Sequence, residues 1–363
     1  MEKRTLPVRD HYWLVAEFDP QQESLMVWPQ RPDNWRDGGK PAQKAYAALA
    51  NLIAEKQPVT VFVQEDQYQN ARVKLNPTVR IVEMSSNDAW IKDYGPFYIR
   101  NEHSLRAVDF NFNAWGGLID GLYFPWDKDN EMAIKIANLF RTDYYRNSVV
   151  LEGCAIHTDG QGTFFATTDV VLASDRNPLM TKAKMERILH DYLGALKVIW
   201  LDHGYFLDET GGDIDNIMNV VRPGEVVLTW TDNPTDPTYE SCRQAERILQ
   251  AATDAQGRKI KVHRLVMPRV LTLTSKEAAT VDCFNGSMPR DVGQRLTATY
   301  VSYVTTNQQI IVPEFDDPQD TVAKKQLACL YPGREVVGFP VREILIGGGG
   351  LHTIVTSIPS VGG

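Results

Sequence analysis

One pattern constrains this chain more than any other: an apolar strand that opens into a loop rich in glycine and acidic residues, seen four times. The units are "VRIVEMSSNDAWIKDYGP" (79–96), "VVLEGCAIHTDGQGT" (149–163), "KVIWLDHGYFLDETGGDIDN" (197–216) and "EVVGFPVREILIGGGGLHTIVTS" (335–357). Identity between the units is negligible, so what repeats is the pattern. Loops that leave equivalent strand ends converge on one face, which is how repeat folds assemble a shared site. Helical stretches at 41–56, 130–140, 179–193 and 239–253 alternate with strands at 59–63, 79–84, 196–201, 226–230, 260–265 and 335–339. Alternation of this kind predicts an α/β fold. At this level a doubly wound sheet also satisfies the pattern. No linker or low-complexity segment divides the chain, so a single domain over 1–363 is expected.

The loops carry the candidate chemistry. Asp88, Trp90 and Asp93 precede a Gly95-Pro96 turn; Glu152, Cys154, His157 and Asp159 fall in the second loop. The third holds Asp208, Glu209, Asp213 and Asp215, and the fourth runs Gly347–Gly350 into His352 and Thr353. Carboxylates gathered from several loops beside an aromatic face suit a planar guanidinium, whose N–H donors pair with carboxylate oxygens side by side. Trp90 or Trp115 could stack on such a cation, although Trp115 reads equally well as an interior aromatic. "DETGGDID" lacks the ligand spacing of an EF-hand, and no G-x-S-x-G elbow is present.

Composition narrows the classes of partner. With 38 basic and 46 acidic residues the formal charge is −8, and no Lys/Arg stripe is visible, which argues against nucleic acid. No run approaches the length of a membrane span, and the N-terminus does not read as a signal peptide. The four cysteines lack CxxC or CxxH spacing, which argues against a zinc or disulfide framework and suits a reducing cytoplasm.

Taken together, "AEFDPQQESLMVWPQRPDNWRDGGKPAQKA", "VDFNFNAWGGLIDGLYFPWDKD", "LEGCAIHTDGQGT", "RNPLMTKAKMERIL" and "IGGGGLHTIVTSIP" resemble the agmatine deiminase family, relatives of the peptidylarginine deiminases. The resemblance implies a five-bladed α/β propeller of ββαβ-type repeats with the site on its axis. It implies hydrolysis of agmatine to N-carbamoylputrescine and ammonia without metal or organic cofactor, by a cysteine thiolate and a proton-relaying histidine. A homodimer is common in the family. Carried over by position, the two guanidinium-holding carboxylates fall on Asp93 and Asp215, and the L-E-G-G glutamate falls on Glu152. Trp90, Asp88, Trp115 and Gly349 complete the expected binding surface. The family's catalytic histidine falls on Asp213 and its nucleophilic cysteine on Thr353. The asparagine of the glycine loop is Gly350, the second glycine of L-E-G-G is Cys154, and the arginine of W-x-R-D is Lys92. The expectation is a member of the family with impaired or absent catalysis, or a non-catalytic paralogue that binds guanidines or polyamines or partners an active deiminase. His157 and His352 are expected to hydrogen-bond structurally, and Cys242, Cys283 and Cys329 to be packing residues.

Overall fold

A computed structural model describes residues 1–284 and 286–361. Its strands form five separate sheets. This overturns the doubly wound alternative, which needs one continuous sheet. Four of the sheets repeat one plan. A short inner strand pairs antiparallel with a middle strand, and a crossover helix returns the chain to an outer strand parallel to the middle one. Phe97–Arg100, Leu105–Asn111, helix Met132–Leu139 and Asp143–Val150 make one blade; Ile156–Thr158, Thr163–Thr167, helix Lys182–Leu193 and Lys197–Leu201 make the next. Met218–Arg222, Glu225–Trp230, helix Tyr239–Ala251 and Lys261–Val266 follow, and then Val304–Thr305, Gln309–Glu314, helix Pro318–Leu330 and Glu335–Pro340.

The fifth blade joins the two ends of the chain. Thr356–Pro359 is the inner strand against Gln21–Val27, followed by helix Lys40–Ala54, strand Val59–Val63 and an added strand Arg80–Glu83. The architecture is thus a five-bladed α/β propeller, sealed by a strand from the C-terminal end.

Local sequence explains the elements. "VTVFV" at 59–63 is buried throughout, as a β-branched strand between parallel neighbours should be. In helix Lys40–Ala54 the inward residues Tyr46, Leu49, Ala50 and Ile53 follow helical spacing. Thr181 caps Lys182–Leu193 by accepting from the Lys184 amide, and Gly194 at φ 78° ends it. Asp317 and Asp320 form a capping box on Pro318–Leu330.

The same plan positions the site. In four of the five blades the last strand leads into a loop that ends in one short helical turn just before the next inner strand. Those turns are Ile91–Tyr94, Gly153–Ala155, Ile214–Ile217 and His352–Ile354. They carry Asp93, Cys154, Asp215 and Thr353 respectively. The fifth loop, 267–303, has no acidic signature, and sequence reading passed over it.

Candidate active site

The loops enclose a pocket of about 530 Å³ lined by Asp93, Asp213, Asp215, Thr353, Trp90 and Trp115 among others. Asp88 and Gly349 line it too, whereas Glu152 does not.

Its aromatic wall is built around one buried carboxylate. Asp88 accepts from the Trp35 indole N–H at 2.7 Å, the Trp90 indole N–H at 3.0 Å and the Asn34 amide at 3.2 Å. Trp35 and Trp90 stack with ring centroids 4.9 Å apart. Asp88 therefore spends its oxygens orienting the wall, and offers its neighbours, rather than itself, to a ligand. Trp115 stands edge-on to Trp90 at 6.5 Å and donates its indole N–H to Asp93 Oδ2 at 3.2 Å. Trp115 is at once interior and pocket-lining, so both sequence readings hold. Its backbone lies at φ 61°, a left-handed conformation costly for a bulky residue.

The glycine run is explained by close approach. A Cβ on Gly347 would collide with the Trp35 ring, one on Gly349 with the Trp90 ring, and one on Gly350 with the Ser302 hydroxyl. Gly348, at φ 105°, passes against Glu209 and Arg290. The loop can pack its backbone on two indoles only because it carries no side chains there.

The pocket floor is acidic, and its carboxylates Asp93, Asp213 and Asp215 are buried. Asp93 accepts the Cys154 backbone N–H at 2.9 Å. Burial, then the charge of Asp215 and Glu152, outweighs that hydrogen bond and pushes the Asp93 carboxyl up to about 7. Burial together with Asp215 lifts Asp208 to about 6. Asp213 is raised well above the carboxylate range by burial and by Asp208, Asp93 and Asp215. One Asp213 oxygen accepts the Thr210 hydroxyl at 2.6 Å, while Oδ1 of Asp213 and Oδ1 of Asp215 are buried without partners among the described residues. Unpaired buried carboxylate oxygens are costly, and a cationic ligand would relieve them.

His352 secures Asp215 from behind. Its Nδ1 donates to Asp215 Oδ2 at 2.9 Å and its Nε2 to both oxygens of Glu17 at 2.8 and 2.9 Å. Burial opposes the charged ring, but Glu17 and the hydrogen bonds lift it to about 9. Lys92 pairs with the same Glu17. His157 lies 5.1 Å from the His352 ring and, lowered to about 4 by burial, stays neutral. Among the described residues its Nε2 has no hydrogen-bond partner, so the structural bond expected of it is not found at that nitrogen.

Among the described residues no hydrogen bond joins Thr353 to Asp213. The Thr353 hydroxyl accepts from the Gly350 amide at 3.3 Å. Cys154 is buried with Sγ 3.8 Å from His352 Nδ1, a histidine that the sequence did not place beside it. Burial and Asp215, Asp93 and Asp213 raise its thiol well above the ordinary range, which keeps it un-ionised and unreactive. Glu152 pairs with Arg176 at 3.2 Å, away from the pocket. Cys242 is buried as expected, but Cys283 and Cys329 are exposed and not packed in the core, because they fall on solvent-facing positions.

Several lining residues had no sequence signal. Arg290, from the unmarked fifth loop, forks onto Glu209 at 2.5 and 2.6 Å and donates to Asn34 and the Gly347 carbonyl. Arg31 packs over Tyr123 with its guanidinium 4.3 Å from the ring centroid.

Five blades around an acidic, tryptophan-walled pocket define an α/β propeller suited to a guanidinium. The sequence profile of the Porphyromonas-type peptidyl-arginine deiminases matches residues 13–359. A Listeria monocytogenes protein, itself provisionally assigned as an agmatine deiminase, is 51% identical over 98% of this chain and 96% of its own. Agmatine deiminase of Pseudomonas aeruginosa is 47% identical over 98% and 97%. The solved agmatine deiminase of Enterococcus faecalis superposes with a TM-score of 0.96 at 42% identity, covering 98% of each chain. This chain belongs to the agmatine deiminase family. Among the described residues no helix is long and apolar enough to cross a membrane.

Proposed function

We propose that this chain is a guanidine-binding member of the family, with agmatine the first ligand to consider, whose capacity to hydrolyse the C–N bond is impaired or absent. The carrying observation is the pairing of a well-built acidic cradle for a cation with a vacant catalytic role. Asp93, Asp215, Trp90 and Trp115 surround the pocket, and two carboxylate oxygens in it lack partners. Against that, among the described residues the Thr353 hydroxyl is bonded to the Gly350 amide and to no base, and a hydroxyl without a base is a poor nucleophile. Asp213, at the position where the family pattern has histidine, makes no hydrogen bond to Thr353 among the described residues; one of its oxygens accepts the Thr210 hydroxyl instead, and burial with neighbouring carboxylates favours its protonated form. Cys154 is no substitute, since its thiol is buried and held neutral.

Loss of a nucleophile or its base in a protease triad costs about six orders of magnitude in turnover. A similar deficit here leaves binding as the retained property. The test compares the native chain with D213H/T353C, using mass spectrometry for N-carbamoylputrescine from millimolar agmatine and calorimetry for binding. The expected result is agmatine binding without product in the native chain, and product in the double variant. Product from the native chain that disappears in T353A would overturn the reading.

A further inference from the structure

Glu17, His157 and His352 do not line the guanidinium pocket, yet they converge behind it. One carboxylate oxygen and one nitrogen from each ring lie within 4.8 Å of one another. We propose that these three residues form a zinc site, separate from the deiminase pocket and open to a second cleft.

Four observations support it. The donor set is two imidazoles and one carboxylate, the set that binds zinc with a fourth position left to water. Nitrogen donors select a borderline transition metal over magnesium or calcium. His157 is 4% exposed and its Nε2 has no partner among the described residues, which is an orphan that a metal would satisfy. His352 already has the outer partner of a metal-bound histidine, because Nδ1 donates to Asp215 at 2.9 Å and leaves Nε2 facing Glu17. Access is provided by a cleft of about 650 Å³ lined by Glu17, His157, Lys92, Asp19 and Gln21, which shares no lining residue with the acidic pocket. Zinc on Nε2 would take the place of the His352 Nε2 proton, with the Nδ1–H still available to Asp215. Lys92 is the opposing element: its ammonium sits on Glu17 and must give way to the metal.

The experiment titrates Zn²⁺ into the full chain, freed of metal by chelator, against a chromophoric indicator, and repeats the loading with Co²⁺ for its visible spectrum. One equivalent should bind with micromolar affinity or better. Glu17→Gln and His157→Gln, each checked for folding by circular dichroism, should weaken it at least about tenfold. Lys92→Met should tighten it. The Co²⁺ spectrum should show nitrogen and oxygen donors without a thiolate charge-transfer band. Absence of one-equivalent binding overturns the site, as does binding unchanged in both variants or abolished by blocking Cys283 and Cys329. The Co²⁺ spectrum of the native chain decides the matter even if a variant fails to fold.

Discussion

The affinity of the acidic pocket for agmatine should depend strongly on pH, and the dependence follows from Asp93. Its carboxyl titrates near 7, because burial and neighbouring carboxylates penalise its charge. A guanidinium keeps its charge throughout the range in question, since an arginine-like group loses its proton only above about pH 12. Binding therefore requires the ionised carboxylate, and the protonated fraction is a competitor. At pH 8 that competition weakens affinity by about 1.1-fold, and at pH 5 by about 100-fold, a difference of ~2.7 kcal/mol. Asp213, also raised, steepens the dependence wherever it must ionise with Asp93.

The sign for stability runs the other way. A carboxyl raised on folding binds protons more tightly in the native state, so its contribution falls as pH rises from about 4 to about 7. Agmatine should accordingly raise the melting temperature more at pH 8 than at pH 5. Calorimetric titration at pH 5, 6, 7 and 8 measures the affinity, and D93N should flatten the profile while lowering affinity at pH 8. A native affinity that changes less than about threefold between pH 5 and 8 would refute the argument, as would an unchanged slope in D93N.

Three other perturbations discriminate. Gly349→Ala places a methyl on the Trp90 ring; overpacking costs roughly 1–3 kcal/mol, to be read as a lower urea midpoint together with weaker agmatine binding. His352→Gln removes the cation between Glu17 and Asp215 and should destabilise by about 3–5 kcal/mol at pH 6.5. Because the folded ring titrates near 9, that deficit relative to the native chain should shrink as pH rises through 9, seen in urea melts at pH 6.5, 8 and 10. Aromatic disulfide reagent should titrate Cys283 and Cys329 in the native chain, and Cys154 and Cys242 only on unfolding. A fast reaction at Cys154, identified by peptide mapping, would show that its pocket is open and revive it as a nucleophile.

The amino-acid sequence alone determined the blade grammar, because a strand followed by a Gly- and acid-rich loop is written in contiguous residues with short periods. It determined the family by long matched runs, and it placed Asp93, Asp213, Asp215 and Thr353 on loops that do meet in one pocket. What it left open lies in contacts between distant segments. The fifth loop carries Arg290 into the pocket mouth without an acidic signature, and its partner Glu209 is 81 residues away. Glu17 and His352 meet across 335 residues because the strand near the C-terminal end closes the ring by completing the fifth blade. Asp88 reads as a ligand for a cation until Trp35, Asn34 and Trp90 are seen to occupy its oxygens. Glu152 likewise turns to Arg176. Which carboxylate stays free, which is protonated and which histidine is charged are set by burial and by the summed field of neighbours from several blades. Those quantities exist only once the ring has closed, so tertiary structure decided them.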